Sequence, residues 1–216
     1  MYDVILFDLD GTLTDPKPGI TRSVQYALAK FDIHVADLDS LIPFIGPPLS
    51  ESFQVFYRLS EADAKKAVEY YREYFTEKGL YENAVFDGIP ELLANLKQAG
   101  KTLIVATSKP TVFAEKILQH FQLAHYFSRI AGSNLDGTRV DKDEVIAFAL
   151  MECLDIPKGR IIMVGDRKHD VIGARKNGIC CIAAAFGYGS PEELREANPK
   201  AMAASVQDLL PMLMAE

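Results

Sequence analysis

Four apolar residues, Val4 to Phe7, run without a polar break into Asp8, and Asp10 follows two positions later. An apolar run of this length with no alternation reads as a strand buried on both faces, as in a parallel sheet covered by helices. A carboxylate at the carboxyl end of such a strand lies where open α/β sheets place their ligands. Gly11 and Thr12 then break the strand pattern. In extended chain, residues at i and i+2 point the same way, roughly 6–7 Å apart. Two like charges facing one pocket are costly unless a cation or a proton joins them. The spot therefore asks for a metal ion, a proton, or both.

The rest of the chain divides in two. From Asp87 onward, helix and strand signals alternate. Helices are expected at 89–98, 111–121, 142–154, 170–177 and 206–214, and strands at 102–106, 129–131, 160–164, 179–184 and 201–204. Gly100 and Gly178 close two of the helices. Strands alternating with helices give a parallel sheet. Between Asp15 and Phe86 the signals are helical, at 20–31, 49–57 and from Ser60 to a stop at Gly79, with no convincing strand. Ser60 is a suitable N-cap and Gly79 a suitable terminator. The fold class read here is α/β: a Rossmann-like parallel-sheet core at 1–14 and 87–216, with an inserted all-α helical bundle at 15–86.

Composition narrows the function. The 216 residues are 49% apolar, enough for a sizeable core, and the net charge of −7 argues against a nucleic acid polymer or an anionic membrane as partner. No apolar run approaches the ~20 residues that span a bilayer. The first strand begins by Val4, which leaves no room for a signal peptide, so a cytoplasmic location is expected. Cys153, Cys180 and Cys181 have no metal-like spacing and read as small core residues.

Further strand ends echo the first. One apolar run ends in Thr107, Ser108, Lys109 and Pro110, whose hydroxyl and backbone N–H groups suit an anion. Another ends in Gly165 and Asp166, with Asp170 close behind, and Lys142 stands at a helix start among acidic residues. Singly, these have plainer readings: capping for Thr107 and Asp170, solvation for Lys142. Together they do not. Four converging carboxylates repel by up to ~4 kcal/mol per close pair at an effective dielectric of 20. Mg²⁺ suits such hard oxygen donors, and Thr107 and Lys142 supply what a phosphoryl group needs.

This set, in this order, resembles the haloacid dehalogenase superfamily of aspartyl phosphatases: Asp8-Leu-Asp10-Gly-Thr, Thr107, Lys142, and Gly165-Asp166 through Asp170. The stretches from Asp10 to Asp15, Gly19 to Ser23 and Thr107 to Pro110 are most similar to its phosphoglycolate phosphatase-like and bacterial 5′-nucleotidase-like branches. The resemblance implies that Asp8 is the nucleophile and that Asp10 is the acid and then the base. It implies that Thr107 and Lys142 hold the phosphoryl group, with Gly11, Thr12, Ser108 and Lys109 lining its site. It implies that Mg²⁺ is bound by Asp8, Asp166 and the backbone carbonyl of Asp10, and by Asp170 directly or through water. The helical insert resembles the family's cap, in which Arg22 is a candidate for a substrate anion and the Gly46-Pro47-Pro48 turn a candidate tip. Arg167, Lys168 and His169 stand where the family often has a small hydroxyl residue, either reaching substrate or facing solvent. The Tyr70, Tyr71, Tyr74 and Phe75 cluster reads as cap core.

The expected activity is Mg²⁺-dependent hydrolysis of a small phosphorylated metabolite by a monomer or homodimer. A sugar phosphomutase would keep every core residue and differ in the cap. A non-catalytic phosphate-binding or regulatory protein would not need nucleophile, acid and metal ligands together, and a dehalogenase would not need Asp10 or a metal pair.

Overall fold

Every residue of strand β1 (Val4–Phe7) is buried in the computed structural model, which describes residues 1–215. Successive side chains alternate between faces. Val4 and Leu6 join a cluster that includes Ile104, Met163, Val145 and Val171, whereas Ile5 and Phe7 point to the opposite face, where Phe7 meets Phe127 edge to face. Each of these burials contributes about 1.5–3 kcal/mol relative to exposure.

The remaining elements, in chain order, are β2 (Thr14–Asp15), α1 (Lys17–Ala29), α2 (Leu49–Tyr57), α3 (Glu61–Tyr74), β3 (Ala84–Val85), α4 (Ile89–Gln98), β4 (Thr102–Pro110), α5 (Thr111–His120), β5 (Arg129–Ser133), α6 (Lys142–Ala149), β6 (Ile161–Gly165), α7 (Lys168–Lys176), β7 (Cys180–Ala184), α8 (Pro191–Ala197), β8 (Ala201–Ala203) and α9 (Val206–Met214). Six strands form one sheet in the order β5-β4-β1-β6-β7-β8. β1 pairs in parallel with β4 and β6, so Phe7 stands beside Val105 and Val164. The carboxyl ends of all three strands therefore lie at one edge. The register of β4 against β5 shifts between Ala106 and Pro110, so the chain is irregular where Thr107, Ser108 and Lys109 sit.

The chain separates into two units, Met1–Asp15 with Val85–Glu216, and Pro16–Ala84. In the second, α1 carries Gly19, where a Cβ would lie 2.0 Å from the Gly79 carbonyl oxygen, so only glycine allows this approach. Ser60 caps α3, its hydroxyl accepting from the Asp63 N–H at 3.1 Å. The α3 path continues as a π-helical turn, Phe75–Gly79. Tyr71 and Phe75 are buried and stacked, while Tyr70 and Tyr74 are only half-buried.

Several expectations need correction. A 3₁₀ segment at Leu38–Phe44, the short strand β3 and helix α8 carry no signal in the reading above. The helix expected at 142–154 ends at Ala149 and tightens into a 3₁₀ turn at Leu150–Glu152. Asp170 does not open α7; it is the third residue of a helix that starts at Lys168, and its Oδ2 accepts the Arg167 N–H at 3.0 Å. Cys181 is buried but Cys180 is exposed, because neighbours on β7 face opposite ways. Among the described residues, no helix is long and apolar enough to cross a membrane.

Candidate active site

The end of β1 delivers Asp8 among charged groups drawn from three other segments. Lys142, the first residue of α6, places Nζ 2.8 Å from Asp8 Oδ1 and 2.9 Å from Asp170 Oδ1, and donates to the Ala106 carbonyl at 3.2 Å. Its side chain is 4% exposed. Burial alone would lower the pKa of this ammonium, but Asp170 and Asp8 outweigh it and raise it. Lys142 is thus a fixed cation between two carboxylates. Asp8 Oδ1 also accepts the Leu9 N–H at 2.8 Å.

Asp10 lies apart from this pair. Its Oδ2 is 2.8 Å from Lys109 Nζ, and its Oδ1 is buried with no hydrogen-bond partner. Burial raises its pKa, against the opposing pull of Lys109. A carboxyl group raised in this way, with one oxygen unengaged, is suited to passing a proton.

Asp166, at the end of β6, is fully buried and accepts the Tyr188 N–H at 2.8 Å and, more distantly, the Thr12 hydroxyl at 3.4 Å. Burial lifts its pKa well above the carboxylate range, and Asp170 and Asp8 push it further. Asp170 is raised to about 6, mainly by burial, with Lys142 opposing. Oxygens of Asp8, Asp166 and Asp170 lie within 4.8 Å of one another. The Asp10 carboxylate lies outside this trio, so its backbone carbonyl is the group to consider for a metal.

These side chains fit a divalent cation. Four buried carboxyl groups (Asp8, Asp10, Asp166, Asp170) face two ammonium groups with buried side chains (Lys109, Lys142), and the raised pKa values of three of the four reflect a shortage of positive charge that a divalent cation would make good. The cradle is also shaped by glycine. Gly11 has a φ of +80°, and a Cβ there would lie 2.1 Å from Asp166 Oδ2.

The anion-facing residues from β4 are brought to the same edge. Thr107 is buried, with Oγ1 accepting the Lys109 N–H at 3.3 Å. The Ser108 carbonyl accepts the Ser133 hydroxyl at 2.8 Å. α5 begins only at Thr111, so Thr107 does not cap it. Arg167 is engaged by Glu193 at 2.9 Å, Lys168 is exposed and His169 half-buried. Arg22 belongs to the helical unit, where it pairs with Glu82 at 2.6 Å and lines a cavity of about 480 Å³ with Tyr26 and Tyr74. Sequence reasoning missed Tyr188, and its one local signal is its position between two glycines just after β7.

Comparisons with known proteins give the family. A family profile for haloacid dehalogenase-like hydrolases matches residues 5–184. A 5′-nucleotidase of Pseudomonas aeruginosa is 54% identical over 198 residues, covering 92% of this chain and 89% of the relative. A tyrosine-protein kinase PtkA of Mycobacterium tuberculosis is 42% identical over 186 residues, 86% of this chain and 63% of the relative's length. Among solved structures, a predicted phosphatase from Clostridium acetobutylicum superposes with a TM-score of 0.95 at 52% identity, covering 99% of this chain and 98% of the other. The chain belongs to the haloacid dehalogenase-like hydrolases and is a phosphoric monoester hydrolase.

Proposed function

We infer that the protein is a Mg²⁺-dependent phosphatase of nucleoside 5′-monophosphates or similarly small phosphate monoesters, working through an aspartyl-phosphate on Asp8. The observation that carries this reading is the Asp8–Lys142 pair at 2.8 Å, with Asp8 also one of three buried carboxyl groups whose oxygens lie within 4.8 Å of one another. The nucleotide preference is supported by the relative named 5′-nucleotidase, which is 54% identical over 198 residues. A relative named phosphoglycolate phosphatase, from Vibrio parahaemolyticus, is 29% identical over 216 residues. The partner is then a small phosphorylated metabolite and not a nucleic acid polymer, handled by a monomer or homodimer.

Asp8 Oδ1 is held by Lys142 and the Leu9 N–H, which leaves Oδ2 to attack phosphorus. The new bond is Asp8 oxygen to phosphorus, and the bond that breaks joins phosphorus to the ester oxygen. Asp10 gives the leaving alcohol a proton from Oδ1. It then takes a proton from the water that attacks the aspartyl-phosphate, and Asp8 leaves as a carboxylate with release of inorganic phosphate. Splitting the reaction in two is covalent catalysis with one residue acting as acid and then base. Lys142 and the Thr107 hydroxyl steady the phosphoryl oxygens, where this reaction gains most of its rate. Mg²⁺ would be held by Asp8, Asp166, Asp170 and the Asp10 carbonyl, and would neutralise charge on the phosphoryl group.

The test is release of inorganic phosphate from nucleoside 5′-monophosphates, phosphoglycolate, hexose phosphates and phosphotyrosine, with Mg²⁺ and with chelator. Mg²⁺-dependent release led by a nucleotide is the expected result. Conversion of one hexose phosphate into another without phosphate release would replace hydrolysis with a mutase reaction.

A further inference from the structure

Tyr188 joins two parts of the site that are far apart in sequence. Its backbone N–H donates to Asp166 Oδ2 at 2.8 Å. Its phenol donates to Asp15 Oδ1, and Asp15 ends the segment that begins with Asp8 and Asp10. The flanking glycines let the turn press on both parts. A Cβ on Gly187 would lie 2.3 Å from the Gly11 carbonyl oxygen and 2.4 Å from Asp166 Cβ, and a Cβ on Gly189 2.1 Å from the Asp166 carbonyl oxygen. Burial and the Asp15 hydrogen bond keep the phenol protonated, and therefore a donor.

Asp8 disfavours the charge on Asp166 in the absence of a shared cation, and the turn that carries Tyr188 adds a contact that holds the two segments close. We propose that Tyr188 is a positioning residue for the divalent cation, tying Asp15 to Asp166 so that the Asp8 segment and the Asp166 carboxylate are already placed to share one ion. The proposal rests on the reading of Asp8, Asp166 and Asp170 as cation ligands. Its physical content is that the cost of gathering the ligands falls on folding and not on cation binding. Partners that orient ligands commonly change metal affinity about 10–100-fold when removed.

The experiment is calorimetric titration of Mg²⁺ into the substrate-free protein. Tyr188→Phe keeps the backbone N–H and loses only the phenol, and it is expected to weaken Mg²⁺ binding about tenfold. Asp15→Asn keeps an acceptor and should bind like the wild type, whereas Asp15→Ala should match Tyr188→Phe. The double variant Asp15→Ala/Tyr188→Phe should be no weaker than either single one, since both remove the same link. The kcat at saturating Mg²⁺ should stay within about twofold, because the phenol takes no part in the chemistry. Equal Mg²⁺ affinity in the wild type, Tyr188→Phe and Asp15→Ala, even with a lowered melting temperature, overturns this inference and leaves the cation reading standing. No Mg²⁺ binding by the wild type overturns the cation reading and this inference with it.

Discussion

Lys109 Nζ lies 2.8 Å from Asp10 Oδ2, while Oδ1 of the same carboxylate is buried without a hydrogen-bond partner. One oxygen is anchored and the other is left to exchange a proton. Lys109→Met is therefore expected to lower kcat about tenfold or more through lost orientation, and Asp10→Asn by about 10²–10⁴ through loss of the acid and base itself. Steady-state phosphate release measures both. An unchanged kcat in K109M would remove the orienting role from Lys109.

Asp8 should be indispensable. Asp8→Asn is expected to lower phosphate release by about four orders of magnitude or more, as losses of nucleophiles do. Acid quenching during turnover should leave phosphate on the wild-type peptide that contains Asp8 and none on that of the variant. Phosphate found on another residue would reassign the nucleophile.

Two substitutions at the site should change stability in opposite directions in metal-free buffer. Lys142→Met strands Asp8 and Asp170 without their shared cation, a loss of about 3–5 kcal/mol for a buried pair. Asp166→Asn removes a carboxylate whose charge burial already disfavours, so it should stabilise the fold while abolishing Mg²⁺ binding. Each kcal/mol moves the melting temperature of a chain this size by roughly 2–4 °C. Thermal melts in chelator read both, and a destabilised D166N would mean that this carboxylate is not under electrostatic strain.

Stability of the metal-free protein should fall as pH rises from 5 to 7. Asp170 is raised from 3.8 to about 6, so over this interval the folded state holds more protons than the unfolded one. The slope of unfolding free energy with pH is then negative. Asp170 alone contributes about 1 kcal/mol to the fall, at 1.36 kcal/mol per pKa unit. Lys142 stays charged throughout; Asp10 and Asp166, also raised by burial, act in the same sense as Asp170, and His169, which burial lowers, opposes them. Urea melts at the two pH values, with chelator and then with Mg²⁺, check the sign. Stability that rises with pH in chelator would contradict it.

What could be read in the chain and what could not follow from the range of the forces involved. The run Val4–Phe7 and the helices Ile89–Gln98 and Val206–Met214 were legible because their own residues carry the periodicity and the stops. The 3₁₀ segment Leu38–Phe44 has a proline inside it and no helical repeat, so only packing reveals it. α8 is seven residues long, too short for a pattern, although Ser190 and Pro191 mark its start. Asp8, Asp10, Asp166 and Asp170 were visible because acids at the ends of apolar strands are locally unfavourable. The division of labour among them was not visible: Lys109 with Asp10, Lys142 with Asp8 and Asp170. Nor was the Tyr188–Asp15 link, which joins residues 173 positions apart.

The position of β1 in its sheet has a consequence for synthesis. Val4 is flanked by Thr102 on one side and Ile161 on the other, so the strand that carries the nucleophile is made long before either of its neighbours. Such distant pairings form slowly, and apolar strands left waiting are exposed to aggregation. A ribosome that has released Asp8 has produced neither Lys142 nor Asp166. Chains that stop before Asp170 are then catalytically silent, and a newborn molecule acquires its chemistry only when this last acidic ligand has emerged and the sheet has closed around β1.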